Sequence, residues 1–456
     1  MYEMKTPIID FVRKYAQSGT IRFHMPGHKG HVFFGWEPFD ITEISGADVL
    51  HHGDGIILES EKNATALFGS GATHYSTEGS TLCIKAMLAV LKMEHGAFEA
   101  GERPYLLAAR NVHRSMMDAC ALLDFDVRFL HEKESKSICS SVISPEDLEE
   151  ALRESFRLPL GIYVTSPDYL GQTTDIAGLA QVAKRWDIPL LVDNAHGAYL
   201  HFLEERRHPM DLGAAMCCDS AHKTLPALTG TAYLHVHKAY LERFEPYVNQ
   251  ALMLFGSTSP SYLLMQSLDR CNVYLSEEYP KMLREMILRI VKLKEKLREY
   301  GICVKESEPL KVVLDTAVSG YDGERIANEM REFAIECEYA DGQNVVLMIT
   351  PQNSEKDFER LLAWAENSQM VISKKEALPV KQIGEIQSEQ VLTIREAVFA
   401  KSEFVPAEKA VNRICATETI SCPPAIPIAV SGERITQEMA DAFVRFGIEE
   451  VCVVKE

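Results

Sequence analysis

The chain has no run of 18 consecutive apolar residues, so no membrane-spanning helix is expected. Its first residues, Met1 to Gln17, lack the apolar core of a secretion signal. They carry Lys5, Asp10, Arg13 and Lys14 and read as an amphipathic helix. Basic residues are scarce: 47 Lys plus Arg face 66 Asp plus Glu, a formal charge of −19. That balance argues against nucleic acid or an anionic membrane as a partner. No CxxC pair occurs among the eleven cysteines, which are odd in number and scattered from Cys83 to Cys452. Reduced, mostly buried thiols in a cytoplasmic protein are expected. HExxH is missing, and Pro26-Gly27 interrupts His24 and His28, so these two cannot meet at helical spacing. No metal site is expected, although His31, His51 and His52 add to the crowding. There is no Walker lysine motif. Gly69-Ser-Gly71 lacks the third glycine of a dinucleotide fingerprint.

What is present is ordinary globular material. The 456 residues are 46% hydrophobic and 25% charged, enough for several structural units. Residues 1–45 read as an N-terminal arm. From 46 to 275 apolar runs alternate with amphipathic stretches. Tyr105–Ala108, Gly161–Thr165, Pro189–Asp193 and Thr231–Val236 read as strands, and Thr81–Met93 and Ile176–Arg185 as helices. That alternation predicts an α/β domain with a mainly parallel sheet. Lys281–Tyr300 shows the clearest helical period, through Met282, Leu283, Met286, Ile287, Ile290, Val291 and Leu297. A strand at Lys311–Asp315, a helix at Gly323–Phe333, a strand at Asn344–Ile349 and a helix at Glu355–Glu366 predict a smaller α+β domain over 276–370. A charged connector, Lys374 to Lys381, opens a C-terminal segment, 371–456, with Cys422-Pro-Pro-Ala-Ile-Pro427 and Ser431-Gly-Glu433.

Four places carry chemistry. Asp193 closes the apolar run Ile188–Val192, at the strand end where parallel sheets place ligands. Alone it reads equally well as a helix cap; Asn194-Ala-His196-Gly197 beside it adds an imidazole. Lys223, in Asp219-Ser-Ala-His222-Lys223-Thr224, sits among small and apolar residues. Burial beside positive charge would make it a usable amine nucleophile, though a strand-edge lysine looks the same. Glu78-Gly79-Ser80-Thr81 opens an apolar helix and offers backbone N–H groups and hydroxyls to a phosphate, or serves as a plain N-cap. His113, after the strand at Tyr105, could stack on a flat ring or be a satisfied loop histidine. In this order the four supply what pyridoxal phosphate needs: phosphate donors, a stacking ring, an acid and a lysine.

At these residues the chain resembles the fold-type I pyridoxal phosphate enzymes of the Orn/Lys/Arg decarboxylase family, in particular its short Gram-positive arginine decarboxylase type. The resemblance runs through Phe23-His-Met-Pro-Gly-His-Lys29, Phe68-Gly69, Gly79-Ser80-Thr81 and Arg110-Asn-Val-His113-Arg-Ser115. It continues through Thr165-Ser166-Pro167 with Tyr169 and Gly171, Asp193–Gly197, Ser220–Pro226, Ser257–Ser261, Pro423-Pro424 and Gly432-Glu433. It implies decarboxylation of arginine, lysine or ornithine to the amine. Lys223 would be the Schiff-base lysine, Asp193 the partner of the pyridine nitrogen, and His113 the stacking ring. Gly79, Ser80, Thr81, Ser166, His196, Ser220 and His222 would complete the cofactor site. Thr258 would reach the phosphate of a partner subunit, so a homodimer or larger homo-oligomer is implied. His196, His222 or Lys223 could return the proton. The family motif also suggests Glu433 for the distal cation of the substrate, against an ordinary pair with Arg434. Asp48 and Asp54 stand in reserve.

Four positions depart from the usual pattern: Glu78 for Asn, Asn194 for Glu, Gly230 for Gln, and Ser421-Cys422 where an aromatic is common. The long N-terminal wing of the large members is absent, so a decamer is not expected. Two other readings remain open from sequence. One is an aminotransferase or β-eliminating lyase on the same cofactor, with Arg413 as the carboxylate cation. The other is a binding protein that kept the fold.

Overall fold

The computed structural model describes residues 4–99, 101–130, 137–373, 375–378, 388–418 and 425–455. Cys422-Pro-Pro424 and half of the Lys374–Lys381 connector lie outside these. The strands of the large sheet are β1 (Ala72–Ser76), β2 (Tyr105–Ala109), β3 (Asp126–Leu130), β4 (Gly161–Thr165), β5 (Leu190–Asp193), β6 (Met216–Ser220) and β7 (Ala232–Val236). Their order is β1-β7-β6-β5-β4-β2-β3. β5 pairs with β6, and β2 with β3, in parallel. β7 runs antiparallel to both β1 and β6. The sheet is mainly parallel, as the strand–helix alternation requires.

The chain forms two compact units. The first holds 1–99, 160–162 and 176–282; the second holds 100–159, 163–175 and 283–456. In the first unit the helix Gly79–His95 buries Leu82, Cys83, Ile84 and all of Ala86–Leu91. A helix apolar on nearly every face belongs in an interior. It packs on β6, β7 and the helix Leu241–Phe255. Truncating a leucine there would cost roughly 2–5 kcal/mol through lost burial and the cavity left behind. The N-terminal helix Pro7–Gln17 seats Ile8, Ile9 and Val12 on this unit. Its first turn is capped from a distance: the backbone N–H groups of Ile8 and Ile9 each donate to Asp269 at 3.1 Å. Asp269 also accepts from Ser60, and burial pushes its carboxyl up to about 6 despite these bonds. Beyond this helix, Ile21, Phe23, Met25, Val32, Phe33, Phe34 and Trp36 are all exposed.

In the second unit an antiparallel sheet has the order β10-β11-β9-β8. Its strands are β8 (Val304–Lys305), β9 (Lys311–Asp315), β10 (Tyr339–Ala340) and β11 (Asn344–Met348), and the helices Gly323–Glu332 and Glu355–Asn367 accompany it. Ser354 and Asp357 close a reciprocal capping box on the latter. β12 (Ser402–Pro406) and β13 (Glu450–Val454) form a two-stranded ribbon. The long helix Tyr279–Glu299 buries Leu283, Met286, Ile290, Leu293 and Leu297. Val291, expected on that face, is exposed. It lies roughly 120° round the helix from the centre of the stripe, and Leu293 takes its place. None of the helices of the described residues is long and apolar enough to cross a membrane. The ten described cysteines are all unpaired as disulfides.

Candidate active site

The first unit brings Asp193, His196, Ser220, His222 and Lys223 to the ends of two parallel strands. β5 and β6 are in register with Asp193 opposite Cys218, so Asp193 and Ser220 leave the sheet at the same edge. Asp193 is 2% exposed. Its Oδ1 accepts from the Ala195 N–H at 3.1 Å, and the Cys218 thiol lies 3.7 Å away. Burial holds the Cys218 thiol well above its ordinary pKa, so it stays protonated and can donate. The turn that follows is pinned by the Asn194 N–H to the Cys218 carbonyl (3.0 Å) and by the Gly197 N–H to the Asn194 carbonyl (2.7 Å). It presents His196, whose Nε2 is 3.1 Å from the Lys223 Nζ. A buried ring nitrogen and a half-buried amine share a proton at that distance, which fixes where the amine points.

Lys223 lies in the single helical turn Ala221–Thr224 after β6. The His222 Nδ1 donates to the Thr231 carbonyl at 3.0 Å. At the head of that turn the Ser220 hydroxyl donates to the Ser80 hydroxyl at 2.9 Å. Ser80 belongs to the first turn of the 17-residue helix Gly79–His95, whose first N–H groups have no partner within the helix. Gly79 sits at φ +67, and a Cβ built on it would meet nothing within 4 Å. The helix N-terminus therefore faces open space, with Ser80 half-buried and Thr81 exposed. Dipole and N–H groups together suit an anion there. A nucleophilic amine, a buried strand-end acid and a hydroxyl-rimmed helix N-terminus fit pyridoxal phosphate.

Two departures from the family pattern have visible reasons. Glu78 Oε1 accepts from the Ser257 N–H at 2.6 Å, tying the helix start to the segment that carries the exposed Thr258. Gly230 has φ +95, and its carbonyl accepts the Gly79 N–H at 2.7 Å. A glutamine there would be strained.

In the second unit His113 caps the helix Arg114–Leu123, its Nδ1 accepting from the Ser115 N–H and meeting the Ser115 hydroxyl at 2.7 Å. Ser166 follows β4, is 4% exposed and accepts from the Thr174 N–H at 3.1 Å. Glu433 is 7% exposed, not a surface residue. It accepts from the Val430 N–H at 2.7 Å and lies 3.7 Å from Arg110, while Arg434 pairs with Glu389 instead. Arg110 also donates to the carbonyls of Pro427 and Ile428, both at 2.8 Å. Arg413 bonds Glu403 and the Val454 carbonyl, which makes it a brace of the β12–β13 ribbon. The reserve acid Asp48 accepts from the N–H groups of Gly55, Ile57 and Leu58 and so caps the helix Ile56–Phe68.

Sequence reasoning passed over one group. Asp219, fully buried, accepts from the Asn194 amide at 2.6 Å and from the Nε2 atoms of His208 and His235 at 2.9 and 3.2 Å. Burial alone would raise its pKa, but the hydrogen bonds of His208 and His235 hold it well below the usual carboxylate range. The only signal was the repeated histidine in apolar surroundings.

Fold and site together define a fold-type I pyridoxal phosphate enzyme. The chain belongs to the Orn/Lys/Arg decarboxylase family. The family's major domain matches residues 6–322 and its C-terminal domain residues 374–448. It is a pyridoxal phosphate-dependent decarboxylase acting on a basic amino acid. Arginine decarboxylase of Bacillus anthracis is 29% identical over 98% of this chain and 94% of its own length. Arginine decarboxylase of Bacillus subtilis is 28% identical over 96% and 93%. The solved lysine decarboxylase of Francisella novicida superposes with TM-score 0.81 at 16% identity, covering 99% of this chain and 82% of that one.

Proposed function

We propose that the chain decarboxylates arginine, with Lys223, Asp193 and the Ser80–Ser220 pair as the working groups of the cofactor site. The contact between Lys223 Nζ and His196 Nε2 at 3.1 Å, beside the buried Asp193, carries the site assignment. The near-complete match to relatives named arginine decarboxylase supports the substrate.

Bound pyridoxal phosphate supplies a ring that takes up the electron pair left when carbon dioxide departs. The protein's part follows from its own atoms. Lys223 Nζ would be the amine that holds the cofactor covalently. Asp193, an acid in a dry strand-end position, holds a proton at the pyridine nitrogen. Ser80, Thr81, Ser220 and the N-terminal N–H groups of the Gly79–His95 helix bind the phosphate. His222 would line the site, and the family resemblance assigns His113 to the face of the ring and Ser166 to its surroundings. His196 holds the Lys223 amine in place and can hand it a proton, which Lys223 then delivers to the product.

The substrate's distal cation needs an acid, because a buried cation without one costs several kcal/mol. Asp48 already serves four backbone N–H groups, those of Val49, Gly55, Ile57 and Leu58, so Glu433 is the candidate kept. The test is carbon dioxide release from arginine, lysine and ornithine, with amine chromatography, on the parent protein and Glu433→Gln. Arginine should give the highest kcat/KM, and the variant should raise its KM at least tenfold with cofactor affinity unchanged. Unchanged kcat/KM with a lowered melting temperature would make Glu433 a brace for Arg110 and remove it from the substrate's path.

A homodimer in the cytoplasm is proposed as the working form, with Thr258 of one subunit completing the phosphate site of the other. Dilution to monomer should then release cofactor, because one contact is lost with the partner. Sedimentation and absorbance on the same samples check this; a monomer with full cofactor content would refute it.

A further inference from the structure

Next to Cys218, which faces Asp193 across β5 and β6, stands Asp219. It is a buried carboxylate that receives three hydrogen-bond donors. One is the side-chain amide of Asn194 at 2.6 Å; the other two are imidazoles from distant segments, His208 and His235. His208 has its Nδ1 engaged by the Met210 N–H at 3.3 Å, so its Nε2 carries the proton it gives to Asp219. His235 meets the Thr73 hydroxyl through Nδ1 at 2.8 Å, and Thr73 in turn meets Ser70 at 2.7 Å. Asp219, His208 and His235 are fully buried, and the rings of Phe68 and Tyr233 lie 4.6 and 5.8 Å from that of His235 between centroids. A carboxylate held ionised in such a place is costly unless every donor is in position, so the group tolerates little displacement.

Its position in the chain gives it leverage. Asp219 immediately precedes Ser220 and stands four residues before Lys223. Through Asn194 it grips the turn that joins Asp193 to His196. The same two ends meet again at the 3.1 Å contact between His196 and Lys223. An amide at position 194 complements an ionised Asp219, whereas a glutamate there would set two carboxylates face to face.

We propose that Asp219 is a positioning residue of the decarboxylase. Acting through Asn194, it fixes the Asp193–His196 turn against the Lys223 turn and so sets the protonation of the Lys223 amine. This rests on the assignment of Lys223 as the anchor lysine. Loss of either Asp219 or Asn194 loosens the His196–Lys223 contact. A neutral imidazole favours the ammonium form of the amine beside it, so loosening it lowers the Lys223 pKa.

The test reads that pKa directly in the cofactor-free protein, by the pH dependence of reductive methylation at Lys223 mapped by mass spectrometry. Asp219→Asn and Asn194→Ala are compared with the parent and with their double variant. Both single variants should lower the Lys223 pKa by about one unit. Both should lower kcat of the loaded enzyme by about tenfold to a hundredfold, with KM little changed. Asn194→Ala keeps the Asp219 charge, so its shift separates positioning from simple loss of a negative charge. The double variant should be no worse than the worse single one, because the two residues act as one link. If Asp219→Asn does not fold, Asn194→Ala alone decides. A Lys223 pKa unchanged in folded Asn194→Ala, or additive losses in the double variant, would overturn the proposal. Borohydride trapping on the same samples keeps the two assignments apart. Cofactor fixed on a lysine other than 223 would sink the site assignment itself, whereas label on Lys223 with an unmoved pKa would sink only the role of Asp219.

Discussion

Lys223→Ala protein is expected to come off the column colourless and inactive. The parent should be yellow, and borohydride should bleach it while fixing a pyridoxyl group on the peptide that contains Lys223. The variant loses the covalent anchor, the amine that gives way to the substrate and a proton donor in a single change. A loss of activity on the order of a thousandfold or more is therefore expected. Folding should be spared. Lys223 is only half-buried, in a one-turn helix, and its amine meets the His196 ring. Label on another lysine would contradict the assignment. So would a variant that keeps its colour and turns over.

Asp193→Asn should keep the shape of the strand end and lose its charge. The amide can still accept from the Ala195 N–H, so the turn should survive. What goes is the charge-assisted bond to a protonated ring nitrogen, worth on the order of 2–3 kcal/mol. Cofactor affinity should weaken by roughly that amount. Turnover should fall at least about a hundredfold, because an unprotonated ring is a poorer electron sink. Near-normal kcat in a cofactor-saturated variant would remove Asp193 from this role. The two variants should also differ in kind. Lys223→Ala should lose covalent trapping altogether, whereas Asp193→Asn should retain it when cofactor is in excess.

The elements that periodicity revealed are those whose burial is apolar. Gly161–Thr165, Ile176–Arg185 and Lys311–Asp315 have the same ends in sequence and structure. Others were hidden by what they bury. β1 is Ala-Thr-His-Tyr-Ser, polar to the eye, yet Thr73, His74, Tyr75 and Ser76 are all buried. They are buried because partners far along the chain satisfy them: His235 for Thr73, and Ser60 and Asn272 for Tyr75. β6, Met-Cys-Cys-Asp-Ser, was hidden in the same way. The helix Leu241–Phe255 runs through Pro246, which reads as a break.

The family motifs named the candidate residues but not their bonds. Asn194 looks like a substitution until Asp219, 25 residues away, is seen to accept its amide. Glu78 looks like another until it meets Ser257, 179 residues away. Arg110, quoted only as part of a motif, turns out to face Glu433. Pairings at such separations follow from the sheet order, which one sequence does not display.

The cap on the first helix has a consequence for how the chain can be handled. Asp269 is buried in the first unit, sharing Ser60 with Tyr75, and Asn272 on the same helix binds Tyr75 and Tyr233. Two of its three donors are the peptide groups of Ile8 and Ile9. Clipping a dozen residues from the start would strip those donors from a carboxyl that is fully enclosed. It would also uncover the apolar seat of Ile8, Ile9 and Val12. An affinity tag belongs ahead of an intact Pro7, and a protease that trims past it attacks the interior of the protein from its end.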